Sequence, residues 1–88
     1  MKLLRHKNFI KDFKKLKLTD SQFEKLIKYL HLLQEEVKLP FEAKDHELLG
    51  KWKNFRKFHV GGDLIVIYYV NKDEIILTRM GTHSQLFE

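Results

Sequence analysis

Seven consecutive apolar residues, Leu64 to Val70, constrain this chain more than any other stretch. A membrane span needs about 20 such residues, so the run is too short to be one. It is rich in β-branched and aromatic side chains and lacks the polar alternation of a strand with one wet face. It therefore predicts a strand covered on both sides. At 88 residues the chain has room for one core and one domain, so both covers must come from its own flanking segments.

The flanks divide near Leu39-Pro40. Upstream there is no glycine or proline, and apolar residues recur at helical spacing. Phe9, Ile10, Phe13 and Leu16 trace a first helix; Phe23, Leu26, Ile27, Leu30, Leu33 and Val37 trace a second, longer one. Thr19 with Gln22, or Ser21 with Glu24, has the spacing of a capping box at the second helix's start. Pro40 is read as its end, because proline disfavours helix at the residue before it. Met1–Arg5 is a candidate short strand. Downstream lie all four glycines and three strand-like segments: Trp52–Val60, Leu64–Val70 and Ile75–Met80. Gly61-Gly62 and Asn71-Lys72-Asp73 supply the turns. The predicted fold is α+β, with βααβββ order and an antiparallel sheet carrying both helices on one face.

Charge narrows the function. Seventeen Lys and Arg against twelve Asp and Glu leave a net +5, which favours a polyanionic partner, nucleic acid or an acidic protein. Cysteine is absent, which removes disulfides and thiolate zinc sites and suits a reducing, cytoplasmic setting. The basic start, Met1–Phe13, has no apolar stretch of signal-peptide length, and no membrane association is expected.

The strand half also gathers His46, His59 and His83 with Asp63, Arg56 and Arg79. Histidine can give or take a proton near neutral pH, and arginine offers a planar fork of donors to phosphate. Together they suit metal-free RNA cleavage: a base for the ribose 2′-hydroxyl, a cation for the charge on phosphorus and an acid for the leaving oxygen. A metal site is the other use of such residues, but the spacing has no His-x-x-x-His or His-Glu-x-x-His pair, so no metal or cofactor is expected. Lys51, Lys53, Arg56 and Lys57, interleaved with Trp52, Phe55 and Phe58, read either as an RNA-facing strand or as a solvated face opposite a core in which Trp52 and Phe58 share strand parity. Leu86-Phe87 reads as a clip that fastens the C-terminal tail, or as a ring for stacking a base.

Three blocks carry a resemblance. Lys44-Asp45-His46-Glu47-Leu48-Leu49-Gly50-Lys51-Trp52 resembles the K-D-H-x-L-x-G-x-W stretch of YafQ-type toxins in the RelE superfamily of bacterial toxin–antitoxin systems. Arg56, His59-Val60, Asp63 and Ile67-Tyr68 are similar to the family's next segment. Arg79-Met80-Gly81-Thr82-His83-Ser84-Gln85-Leu86-Phe87 is similar to its closing R-x-G-T-H-x-x-L-F. The blocks span Lys44 to Phe87; residues 1–43 match in layout alone. The resemblance implies a single RelE-like toxin domain over residues 1–88: a metal-independent endoribonuclease that cuts messenger RNA, usually on the ribosome, and is neutralised by a cognate antitoxin. It implies a site of His46, His59, Asp63, Arg79, His83 and Phe87. Lys51, Lys53 and Arg56 would hold flanking phosphates, and Arg79 would stabilise the charge on phosphorus. A monomer is expected for the chain alone.

One departure bears on substrate positioning. The family commonly has Trp directly after the aspartate, where this chain has Leu64, which neither stacks on a base nor donates a hydrogen bond. For His59 and Asp63 to serve one site, the hairpin between them must also be bulged, with a three-residue loop Val60-Gly61-Gly62 and a left-handed glycine. Two other functions fit the composition: a non-catalytic RNA- or ribosome-binding module, and an adaptor whose basic face holds an acidic protein.

Overall fold

The computed structural model describes residues 1–87. Strand β1 (Lys2–Arg5) leads into helices α1 (Lys7–Lys15) and α2 (Asp20–Gln34). After two short 3-10 turns and a two-residue strand β2 (His46–Glu47), the chain forms β3 (Arg56–Gly61), β4 (Leu64–Asn71) and β5 (Glu74–Thr82), and then the short helix α3 (His83–Phe87). The sheet order is β1-β5-β4-β3-β2. The fold is α+β, but the sheet is mixed: β1 runs parallel to β5, and the other pairings are antiparallel. Two elements, β2 and α3, lie outside the six expected from sequence.

Strand β4 is covered on both faces. On one face Leu64, Val66 and Tyr68 join Phe58, Val60, Leu77 and Met80 in a core closed by Phe9 of α1 and by Leu26 and Tyr29 of α2. On the other face Ile65 and Ile67 lie beneath Leu86 of α3, with Leu48, Trp52, Phe55 and Phe87 around them. Trp52 thus packs on the face opposite Phe58. Shared parity fails because Trp52 sits in a 3-10 turn and Asn54 takes a left-handed conformation (φ 77°), so the regular strand begins only at Arg56.

Helix α2 starts as read, with the Thr19–Gln22 capping box formed in both directions. It ends at Gln34, well before Pro40. Glu36 turns left-handed (φ 58°), and the amides of Glu36 and Val37 donate to the carbonyls of Leu33 and Leu32. This paired closure satisfies the helix's last acceptors. Val37 therefore leaves the apolar stripe and is exposed, as are Phe23 and Ile27. No helix among the described residues is long and apolar enough to cross a membrane.

Two bulges aim the functional face. In β3, His59 pairs with Ile65 and Gly61 with Leu64, leaving Val60 as an extra residue. In β5, Arg79 pairs with Ile67 and Leu77 with Tyr68, leaving Thr78 extra. In a regular strand Leu77 and Met80, three apart, would face opposite sides. The bulge lets both enter the helix-side core and turns Arg79 to the other face.

Candidate active site

The register assembles a row across the sheet. His46 of β2 lies opposite Lys57 of β3, Lys57 opposite Ile67 of β4, and Ile67 opposite Arg79 of β5. The neighbouring row on the same face is His59, Ile65 and Gly81. Directly paired residues share a face, so His46, Lys57, His59 and Arg79 all rise from the side opposite α1 and α2. From His46 to Arg79 is three strand spacings, about 14 Å. The two ends are not in direct contact, and α3 overlies the space between them.

Gly81 lets α3 come this close. A Cβ built there would stand 2.9 Å from Gln85 Oε1 and 3.4 Å from Leu86 Cδ2. Gln85 Oε1 accepts from the Thr82 amide at 2.8 Å, while the Gln85 amide donates to Thr82 Oγ1 at 3.2 Å. Leu86 then anchors the helix on Ile65 and Ile67. His83 and Phe87, one turn apart, carry rings 5.0 Å from each other. Phe87 also meets Trp52, centroid to centroid 6.0 Å, and the Lys57 ammonium lies 5.2 Å from its ring centre. Phe87 packs as part of the apolar clip and is half-buried, with one side of its ring against His83.

His46 Nδ1 lies 2.6 Å from the Lys44 carbonyl. That oxygen can only accept, so Nδ1 carries a proton and neutral His46 presents Nε2 as the acceptor. His59 is half-buried, and its pKa is lowered. Burial is the largest cause, followed by the positive charges of Lys57, Lys44 and His46; Asp63 pulls the other way and is outweighed. The hairpin is bulged, but in a different form from the expected loop. Gly61 pairs with Leu64, and the turn residues are Gly62, left-handed at φ 59°, and Asp63. Asp63 is therefore an exposed turn residue within electrostatic reach of His59. Leu64 points into the helix-side core, not toward this face.

Arg79 is held by a residue the sequence reading passed over. Its Nε and Nη2 donate to the two oxygens of Asp12 on α1, at 2.7 and 3.1 Å. Nη1 takes no part in this pair. Arg56, expected to hold phosphate, pairs with Tyr68 on the helix side of the sheet. It binds Asp45 at 3.2 Å and reaches Glu47 at 3.7 Å, so it braces the β2 segment while also lining the cleft beside His46. Lys51 and Lys53 are exposed on and just after the Gly50–Trp52 turn, off the strand. Beside His46, a cleft of about 350 Å³ is lined by Lys38, Phe41, Lys44 and Arg56 among others. Among the described residues no three His, Asp or Glu side chains form a metal-holding group.

The chain matches, over residues 1–88, the family model described as bacterial toxin of type II toxin–antitoxin system, YafQ. It belongs to the YafQ toxin family. Among curated YafQ relatives, one from Haemophilus influenzae is 42% identical over 65 residues, or 69% of this chain; the match spans 64% of that relative's length. The mRNA interferase toxin YafQ of Escherichia coli K12 is 38% identical over 81 residues, covering 90% of this chain and 87% of the relative. A crystal structure of the E. coli DinJ–YafQ complex matches with a TM-score of 0.83 at 33% identity, covering 98% of this chain and 97% of that one.

Asp12, which reaches Arg79 from α1, and Lys57, on the histidine face itself, are not among the site residues that the sequence motifs point to. Asp12 sits mid-helix among lysines, with no motif to mark it. Lys57 has a signal that strand parity makes legible afterwards: it lies two residues before His59, hence on the same face.

Proposed function

We propose that this chain is the toxin of a type II toxin–antitoxin pair and acts as a metal-independent endoribonuclease on messenger RNA, engaged on the ribosome. The observation that carries the reading is the placement of His46, His59, Arg79 and the His83–Phe87 helix on one sheet face, away from the helix-side core. A histidine in its neutral form takes the proton from the ribose 2′-hydroxyl, and that oxygen forms a bond to phosphorus. The bond from phosphorus to the 5′-oxygen breaks, and a protonated histidine gives that oxygen its proton. The products are a 2′,3′-cyclic phosphate and a 5′-hydroxyl. His59, whose surroundings favour the neutral form, fits the base; His83, beside Phe87, fits the acid. Arg79 supplies charge stabilisation from Nη1, its orientation set by Asp12. Donors fixed in advance where charge will develop often lower the barrier more than any other feature of such a site. Phe87 stacks a base.

Residues 1–88 act as one domain and, without its antitoxin, as a monomer in the cytoplasm. The partner is a cognate antitoxin, by analogy with the relative captured with DinJ. Lys51 and Lys53, both exposed, contribute salt-dependent attraction to flanking phosphates.

The test is cleavage of a defined mRNA in excess EDTA, with and without ribosomes, by the wild type, Arg79→Ala and His83→Ala. Cuts ending in cyclic phosphate, reduced by about 10² or more in both variants, are expected. Intact RNA under both conditions, with RNA or ribosome binding preserved, would replace this reading with a non-catalytic binding module.

A further inference from the structure

The cation at the centre of the histidine face is Lys57. It stands opposite His46 across the β2–β3 pair and on the same face as His59, two residues along its own strand. Its ammonium lies 5.2 Å from the centre of the Phe87 ring, and that ring lies 5.0 Å from the ring of His83. His46 and His59 therefore flank this side chain on the sheet, and His83 shares the Phe87 ring with it. Among the described residues no carboxylate lies within 4 Å of Lys57; the ion pairs present engage Arg56 and Arg79. Arg79 stands at the edge of the face with two donors committed to Asp12, so the centre of the face is left to Lys57. A dianionic phosphorane formed on this face would find on Lys57 a positive charge that no carboxylate among the described residues already pairs.

Resting on the ribonuclease reading, we propose that Lys57 binds the scissile phosphate, its ammonium lying over Phe87 until RNA replaces that contact with a phosphate oxygen. Position supports this over a passive surface role. A solvated lysine gains only a weak cation–π attraction from an aromatic ring and nothing from neighbouring imidazoles, whereas a phosphate bound among the imidazoles gains a point charge from it. The same ammonium acts on His59. The charged groups around that imidazole are Lys57 on its own strand, Lys44 and His46 from the β2 segment, and Asp63 from the hairpin turn; β4 contributes only apolar Ile65 opposite it. Lys57 is first among the charges that keep His59 neutral, so one residue both holds the phosphate and helps keep a base ready.

The test uses the full chain as wild type, Lys57→Met, which keeps the stem over Phe87, and Lys57→Arg, which keeps the charge. The histidine ring resonances are followed by NMR against pH and against adenosine 3′-monophosphate, and mRNA cleavage is measured in parallel. Lys57→Met is expected to weaken nucleotide binding about tenfold, to raise the His59 titration midpoint and to slow cleavage about 10²-fold. Lys57→Arg should stay within a few-fold of wild type. Unchanged nucleotide affinity and an unmoved His59 midpoint in Lys57→Met would overturn the assignment, as would a Lys57→Arg variant as impaired as Lys57→Met. If the wild type binds the nucleotide through Lys57 but cuts no RNA, the phosphate site stands and the ribonuclease reading falls. Should Lys57→Met fail to fold, Lys57→Gln gives the same comparison.

Discussion

Asp12 and Arg79, 67 residues apart in sequence, form a bidentate pair that ties the first helix to the last strand. One oxygen of the same carboxylate also accepts the Met80 amide at 3.0 Å. Strand β1 stops pairing with β5 at Leu77, so the rest of that β5 edge needs other partners. Asp12 caps it and fixes the arginine in one stroke.

Replacing Asp12 by Asn should cost about 1–3 kcal/mol, since a partly buried arginine and an edge amide lose their charged acceptor. Burial alone would raise the Asp12 pKa, but the hydrogen bonds from Arg79 and Met80, with the charges of Arg79 and Lys15, bring it below its ordinary value. The sign follows. A lowered folded pKa gives stability that is fully present above the unfolded value of about 3.9 and is lost as pH falls through the folded one. Urea unfolding at pH 7 and pH 3 should show the wild type converging on Asp12→Asn at the lower pH. A gap of constant size would place the stabilisation elsewhere.

Arg56 gives the second prediction. The Tyr68 hydroxyl donates to Asp45 at 2.7 Å, and Arg56 Nε donates to the same oxygen at 3.2 Å. This partly buried brace fastens the segment that carries His46. Burial, with the adjacent Asp45 carboxylate, raises the Tyr68 pKa strongly, so the phenol stays protonated and donating. Tyr68→Phe should cost about 1–2 kcal/mol in unfolding free energy. Arg56→Met should likewise lower stability while leaving the salt dependence of RNA binding unchanged. A shallower salt slope in Arg56→Met would return Arg56 to the phosphate contacts.

The contrast between Arg56 and Lys57 shows what the sequence could and could not reveal. Periodicity was enough for the two helices, the Thr19 cap and the doubly covered strand, because burial on a repeating element leaves a repeating pattern. The histidines and Arg79 were legible from side-chain chemistry and the motif blocks. Facing was not legible, since parity holds only while a strand stays regular. Asn54 resets it ahead of Arg56, Val60 shifts it in β3, and Thr78 shifts it in β5. Each irregularity is one residue long and has no compositional mark. β2 and α3 are likewise too short to show a period. The Asp12–Arg79 pair is a tertiary contact that no local pattern records.

Gly81 lies directly beneath the Gln85 cap that fastens α3 to the sheet. Gly81→Ala puts a methyl 2.9 Å from the Gln85 oxygen that caps Thr82, so that side chain must move aside and the cap weakens. Leu86→Ala removes the anchor on Ile65 and Ile67. A core Leu→Ala costs about 2–5 kcal/mol, but here the loss is limited to the free energy of detaching one terminal helix. Both variants should keep the unfolding midpoint of the sheet within a few degrees and show faster amide exchange in residues 83–87. They should also lose cleavage about 10²-fold, because misplacing a catalytic group by about 1 Å has that effect. Full activity with α3 detached would remove His83 and Phe87 from the site.

His59 and Asp63 give the sharpest test of the site, because the expected sign is opposite to that for Lys57. Burial and neighbouring positive charge hold the His59 pKa below its ordinary value of 6.5, and Asp63 is the group opposing them. Cleavage that uses neutral His59 as base should therefore rise with pH along an acid limb whose midpoint lies below 6.5, and stay high at neutrality. Stability follows the same proton: the unfolded chain binds it more readily, so unfolding free energy falls as pH drops from about 6.5 through the folded midpoint, then levels off. Asp63→Asn removes the negative charge that favours imidazolium. It should shift the acid limb and the NMR midpoint of His59 further down, whereas Lys57→Met shifts both up. With both changes in one chain, the two shifts should partly cancel. An Asp63→Asn variant whose His59 titrates like wild type would show that the hairpin turn does not act on the site. A shift upward would mean that Asp63 reaches His59 through a contact other than charge.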